Sequence, residues 1–313
     1  MVVSWLVGMA LSSSGQTFFL VGSEGTQSVE RYNGTTGAFI DNFIPAGTGG
    51  LGAPEGIAQQ PGNGAILVAS YGTNQILAYD ATTGVFDGVF ATANISDPVA
   101  LGIGPDGDLY VANRASDTVD RYNAFTGALI DTFVSTGDGG LSGPSGLAWG
   151  LDGNLYVTSR YTNQVMMYNG TTGAFDQVFI DVGGGLNSPL GLGQAANGNW
   201  YVSSFGGGTV GVFAGEGSAL GSLPGNAPTG LTVGPDGKIY FTDYNTSTVS
   251  VFNTSTPSTP PVEFVGGVPG APVSLAFVNV PEPGLAGLLA GGVAALLAVT
   301  RARRKRAGAV QSG

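Results

Sequence analysis

Short apolar stretches alternate with glycine-bearing polar turns along most of the chain, and they do so with a period. The element Pro-x-small-apolar occurs as Pro54-Glu55-Gly56-Ile57, Pro98-Val99-Ala100-Leu101, Pro144-Ser145-Gly146-Leu147, Pro189-Leu190-Gly191-Leu192, Pro228-Thr229-Gly230-Leu231 and Pro272-Val273-Ser274-Leu275. Successive prolines stand 44, 46, 45, 39 and 44 residues apart. Within ten residues of each of the first five comes a turn ending in Gly64, Gly107, Gly153, Gly198 or Gly237, and the Asp-Gly pairs at Asp106, Asp152 and Asp236 predict two-residue hairpin turns. Each turn leads into an apolar strand: Ile66 to Ala69, Leu109 to Ala112, Leu155 to Thr158, Trp200 to Ser203 and Ile239 to Thr242, with Phe18 to Val21 as the first copy.

After a short polar loop a third strand ends in an aromatic residue, as in Arg31-Tyr32-Asn33, Arg121-Tyr122-Asn123, Tyr168-Asn169 and Val251-Phe252-Asn253. Thr-Thr-Gly or Phe-Thr-Gly follows, then a fourth strand such as Ala38 to Phe43 or Ala128 to Phe133. Four strands per repeat is the pattern of a propeller blade, and such a sheet hides both faces only by stacking on its neighbours around an axis. The prediction is an all-β, six-bladed β-propeller of four-stranded blades over residues 1–279. Seven stretches compete for the innermost position, counting a weak one from Trp5 to Leu11. Ser274 to Val278 is expected to return to the first blade as its inner strand and close the ring.

Composition agrees with this picture. Glycine contributes 55 of 313 residues and charged residues only 10%, while Val, Thr, Phe and Tyr favour strands over helices. The absence of cysteine excludes disulfides, thiolate metal sites and a catalytic thiol. The absence of histidine removes the commonest general base near neutral pH and the commonest metal ligand. Net charge is −11, and residues 1–280 hold twenty acidic against five basic side chains, so a nucleic-acid partner is disfavoured. The five Asn-x-Ser/Thr matches, at Asn33, Asn94, Asn169, Asn245 and Asn253, are expected to serve turns.

The repeat Ala-Leu-Gly-Ile-Gly-Pro-Asp-Gly-Asp-Leu-Tyr-Val at Ala100 to Val111, and its copy from Gly230 to Phe241, resemble the NHL-type and streptogramin-lyase-like propeller repeats. The resemblance covers roughly residues 12 to 279 and speaks for fold more than for function, because propellers host many activities.

Residues 284–300 carry no charge and span 17 positions, the short end of a membrane-crossing helix, and Arg301, Arg303, Arg304, Lys305 and Arg306 follow directly. By the positive-inside rule this cluster, in the basic tail 301–313, stays cytoplasmic and the propeller lies across the membrane. Immediately upstream stands the motif 280–283, Val280-Pro281-Glu282-Pro283. This order of Pro-Glu-Pro, apolar single C-terminal transmembrane-type helix and basic end is similar to the PEP-CTERM sorting signal of Gram-negative bacteria. That resemblance implies an exosortase-type processing enzyme as a partner, export to the cell envelope or beyond, and a helix only transiently in the inner membrane. Export also implies a signal peptide. Val2 to Leu11 is a short apolar run with no basic residue before Arg31, so the true leader is expected to lie outside it.

Propellers bind at the axial mouth, so the residue after each repeat proline comes first: Glu55, Val99, Ser145, Leu190, Thr229 and Val273. A second candidate ring follows the apolar strands at Ser23, Ser70, Asn113, Ser159, Ser204 and Asp243, and Tyr71, Tyr161, Phe205 and Tyr244 beyond it offer rings that stack on sugars. Gluconolactonase-type propellers hold a divalent metal with Glu, Asn and Asp at the channel. Resemblance to them implies Glu55, Asn113 and Asp243 as a candidate metal set, with Ca²⁺ as the ion. No catalytic constellation stands out, and streptogramin lyases depend on a histidine that this chain lacks. The expectation is a binding or scaffold protein for a glycan or protein ligand; a metal-dependent lactonase- or lyase-like enzyme is the alternative.

Overall fold

A computed structural model describes residues 16–280 apart from Asn63, Pro257 and Ser258. By contact it divides into a propeller unit, Thr17–Val278, and a second unit of residues 1–16 and 279–313 that is almost entirely outside the described residues. The apolar segment 284–300, the basic cluster 301–306, Pro281 to Pro283 and the stretch from Trp5 to Leu11 all fall there. Among the described residues no helix is long and apolar enough to cross a membrane.

Six four-stranded sheets make up the propeller. The inner strands are Pro54–Gln59, Pro98–Ile103, Pro144–Trp149, Pro189–Gln194, Pro228–Val233 and Pro272–Val280. Outside them run Ile66–Ser70, Leu109–Asn113, Leu155–Ser159, Trp200–Ser204, Ile239–Asp243 and, for the last inner strand, Gln16–Ser23. The C-terminal strand thus sits innermost in the first blade, as the repeat count requires, so the two ends of the ring share one sheet. Blades are numbered 1 to 6 from that closing blade.

Two boundaries differ from the sequence pattern, each for a local reason. The second strands run one residue further, because Ser70, Asn113, Ser159, Ser204 and Asp243 still pair across the ladder with Gln75, Thr118, Gln164, Thr209 and Thr248. The fourth strands begin one residue later, at Phe39–Ile44 and Leu129–Val134, because Ala38 and Ala128 still belong to the turn, accepting from the Asn33 and Asn123 N–H. The Asp-Gly turns are three-residue loops rather than two-residue ones. Gly104 N–H bonds Asp108 O, Gly107 N–H bonds Gly104 O, and Gly107 takes φ of +84°. Aspartate suits the loop because Asp106 accepts from the Asp108 N–H and the Tyr110 hydroxyl, an arrangement repeated at Asp152 with Tyr156 and Asp236 with Tyr240.

The core lies between blades rather than within them. Leu67, Ala69 and Ile76 of blade 2 pack on Leu109, Val111 and Tyr122 of blade 3; Phe19 and Tyr32 of blade 1 pack on Tyr240 and Val249 of blade 6. Deleting one such buried aromatic side chain costs about 3–5 kcal/mol. The glycine of each Thr-Gly turn serves the same stacking. Gly127, at φ +70°, lies against the Phe90 carbonyl of blade 2, where any Cβ would overlap it, and Gly37 makes the corresponding approach to Phe264 across the closing seam. Asn33 and Asn169 accept from backbone N–H groups two and three residues on, and Asn253 from the N–H two residues on, which is the turn role expected of them.

Candidate functional site

The inner strands converge on a funnel of about 390 Å³ to which every blade contributes. Its layers can be read from each repeat proline. The residue after the proline, from Glu55 to Val273, forms one ring; the next, Gly56, Ala100, Gly146, Gly191, Gly230 and Ser274, forms a second. Small residues are required there because neighbouring strands meet: a Cβ on Gly56 would overlap the Ala100–Leu101 backbone, and one on Gly191 the Leu231 N–H. Below stand Ile57, Leu101, Leu147, Leu192, Leu231 and Leu275, a complete aliphatic floor.

The rim comes from the residue that follows each second strand: Glu24, Tyr71, Arg114, Arg160, Phe205 and Tyr244. Arg114 lies over the Tyr71 ring, its guanidinium carbon 4.7 Å from the centroid, and Phe205 meets Tyr244 edge-on at 6.0 Å. Such a cation–π contact is worth about 0.5–1 kcal/mol at an exposed site. Arg31 and Arg121 are bound to Asp41 and Asp131, and Lys238 to Asp236. The Arg114 and Arg160 guanidiniums make no hydrogen bond or ion pair with a described residue. Both act through space on the half-buried Glu55 carboxyl, whose pKa burial pushes up to about 7 against their pull, with the Glu24 charge adding to the rise.

The structure divides the sequence candidates cleanly. Glu55, Val99, Ser145, Leu190, Thr229 and Val273 line the funnel, as do Tyr71, Phe205 and Tyr244. Tyr161 does not; it is exposed and lies against Gly143. Ser23, Ser70, Asn113, Ser159, Ser204 and Asp243 are buried behind the rim; Ser23 donates to the buried Glu30, and the other five brace the loops. Ser70 Oγ receives the Gly52 N–H, Asn113 Oδ1 that of Ser96, Ser159 Oγ that of Ser142, Ser204 Oγ that of Asn187 and Asp243 Oδ1 that of Asn226. The acceptor in every case takes the N–H two residues before a repeat proline.

Of the candidate metal set only Glu55 therefore reaches the funnel. Asn113 also donates through Nδ2 to the buried Asp120, and burial raises the Asp243 pKa. Among the described residues no group of three or more acidic or other metal-ligating side chains comes together. Of the proposed sorting motif, Val280 is the buried last residue of its strand, and Pro281, Glu282 and Pro283 lie outside the described residues.

Sequence reasoning missed Glu24, Arg114 and Arg160 as site residues. A signal for them was present: they occupy the positions of Tyr71, Phe205 and Tyr244 in the repeat register, one step beyond the second strand.

No known protein family and no curated protein matches the chain. Among solved structures, a chain of the nidogen/laminin complex superposes with a TM-score of 0.70 at 15% identity, over 84% of this chain and 98% of that one. Virginiamycin B lyase from Staphylococcus aureus follows with 0.55 at 16%, over 72% and 77%. A catalytically inactive histidine-to-alanine form of that lyase, with quinupristin, gives 0.53 at 16%, over 72% and 77%. At these identities the likeness is one of fold alone: this chain's six-bladed propeller is similar in fold to a chain of the nidogen/laminin complex and to streptogramin B lyases.

Proposed function

We propose that this protein is an exported, envelope-associated binding propeller that receives part of a glycan or protein ligand in its axial funnel. The observation that carries the reading is the coincidence, on one rim, of Arg114 and Arg160 with Tyr71, Phe205 and Tyr244 above an aliphatic floor. Binding sites are concave, mostly apolar and supplied with a few oriented polar groups. The lyase alternative gains nothing from the chain, which has no histidine, while the lyase form with its histidine replaced is inactive.

Export rests on the tail. The Pro-Glu-Pro motif, the uncharged segment 284–300 and the basic cluster from Arg301 to Arg306 support processing by an exosortase-type enzyme, with the helix transiently in the inner membrane and the propeller released to the envelope or outside. The test has two arms. Glycan and peptide arrays probed with the protein and with an Arg114→Gln/Arg160→Gln double variant should show rim-dependent binding; binding equal in both removes the funnel from the reading. Fractionation of cells expressing the chain with and without residues 280–306 should move the protein between envelope and other fractions; identical distribution overturns the sorting role.

A further inference from the structure

We infer that the funnel selects a carboxylate carried on an apolar body, the anionic head held at the rim by Arg114 and Arg160 and the body seated on the Ile57–Leu275 floor. The inference rests on the reading of the funnel as a binding site and goes beyond it by fixing the chemistry of what enters.

Three observations lead there. The first is the state of the cations. Of the five in residues 16–280, three are committed to aspartates; the other two, whose guanidiniums make no hydrogen bond or ion pair with a described residue and act on Glu55 only through space, stand at the same repeat position of adjacent blades 3 and 4, facing one opening. Arginine presents a planar fork matched to a carboxylate, and Arg114 already rests over the Tyr71 ring, which restricts its side-chain freedom before a ligand arrives.

The second is the floor. A ring of six aliphatic side chains with no polar member gives a hydroxyl-rich sugar nothing to bond. Two of the hydroxyls nearest to it are already committed: Ser145 Oγ donates to Gly143 O, and Thr229 Oγ1 is bonded to Thr242 and to Pro272 O; Ser274 Oγ has no hydrogen-bond partner among the described residues but is fully buried, out of a ligand's reach. An alkyl or aryl group, in contrast, gains about fourfold in affinity for each methylene removed from water.

The third is the asymmetry of the rim. Blades 3 and 4 contribute the two cations, whereas blades 5 and 6 contribute Phe205 and Tyr244 over Leu190 and Thr229. A ligand with a charged end and an apolar flank fits that division. Free amphiphilic acids and the C-terminal residue of a peptide with an apolar side chain share this chemistry.

Titration calorimetry on the full chain separates the possibilities. Butyrate, hexanoate and octanoate form one series, and a tetrapeptide ending in phenylalanine, with free or amidated C-terminus, forms another, with octanol and maltotetraose as neutral probes. Affinity is expected to rise severalfold per methylene along the acids. Amidation or replacement of acid by alcohol should weaken binding at least tenfold. Arg114→Gln and Arg160→Gln should each cost at least tenfold for acids and nothing for octanol. Tighter binding of the peptide than of octanoate identifies a protein end as the source, and the reverse a free acid. Equal affinity for acid and amide overturns the inference. Rim-dependent binding of maltotetraose without binding of the acids overturns it while leaving the funnel a binding site. Absence of any rim-dependent binding removes both.

Discussion

Two rings of six residues, adjacent in sequence at every blade, have opposite fates. Ser23, Ser70, Asn113, Ser159, Ser204 and Asp243 end the second strands with their side chains turned into the protein, and all six are buried. One residue later, Glu24, Tyr71, Arg114, Arg160, Phe205 and Tyr244 line the funnel. The difference falls at the strand end: the last strand residue still pairs in the sheet with its side chain buried, and the next, where the chain leaves the strand for a turn, faces the opening. Five of the inner ring supply an acceptor for the N–H two residues before a repeat proline, which restricts them to Ser, Asn and Asp, while Ser23 at the closing blade donates to Glu30 instead. The outer ring has no such duty, and its members range from glutamate to phenylalanine.

The largest effect that tests this contrast belongs to the bracing ring. Asn113→Ala leaves the Ser96 N–H without its acceptor and the buried Asp120 carboxylate without one of its donors, though Thr118 and Thr132 still reach it. The expected loss is about 3 kcal/mol. At about 2–4 °C per kcal/mol this lowers Tm by roughly 6–12 °C in a thermal melt. A fall of under about 2 °C would mean that the brace is dispensable. The neighbouring Arg160→Gln should behave in the opposite way: Tm changes by about 2 °C at most, as for a surface substitution, while affinity for an apolar acid falls at least tenfold.

Glu55 links the funnel to pH. The charged groups facing it are Glu24 of blade 1, Arg114 of blade 3 and Arg160 of blade 4, with Tyr71 and Tyr244 on the same rim. Its folded pKa, about 7, lies above its ordinary 4.5, so the folded state holds a proton that the unfolded chain releases between those values. Stability from this group is complete below pH 4.5 and is lost as pH rises through 7. Relative to the parent, Glu55→Gln should therefore melt equally at pH 4 and higher at pH 8. Affinity follows the same sign: ionised Glu55 competes for the arginines, so octanoate binding should weaken by up to about tenfold from pH 6 to pH 8. The Gln variant should show a flat profile, and a parent-like slope in it would assign the titration to another group.

Much of the fold was legible because stacking imposes its own period. The prolines, the Thr-Gly turns and the aromatic residues ending the third strands each mark a contact that every blade must make with the next, so they recur in register. Closure by the Pro272–Val280 strand followed from counting copies. The strand ends were less legible, since whether Ser70 or Asn113 still pairs depends on the facing Gln75 or Thr118 rather than on its own character. The site was half legible. Aromatic residues on the rim stood out as stacking surfaces, but nothing in the sequence separates Arg114 and Arg160 from the other cations; the structure does, because Arg31, Arg121 and Lys238 are each bound to an aspartate and these two are not. Asn113 and Asp243 are ambiguous in the sequence for the opposite reason: side chains that brace a loop carry the same oxygen atoms as side chains that hold an ion.

The smallest expected effect distinguishes those two roles at Asp243. Its Oδ1 accepts the Asn226 N–H, and burial raises its pKa above the usual carboxylate value. An amide oxygen can take the same N–H bond without a desolvated charge. As with Glu55, the raised pKa means that the carboxyl's contribution to stability is present at low pH and lost as pH rises through its folded pKa. Asp243→Asn should accordingly match the parent near pH 3 and exceed it by about 1 kcal/mol or less at pH 7. A metal ligand would respond in reverse, because a bound cation makes the carboxylate worth more than the amide. If millimolar Ca²⁺ raises the parent's Tm and leaves that of Asp243→Asn unmoved, Asp243 holds an ion rather than a loop; equal melts with and without Ca²⁺ in both proteins keep it in the bracing ring.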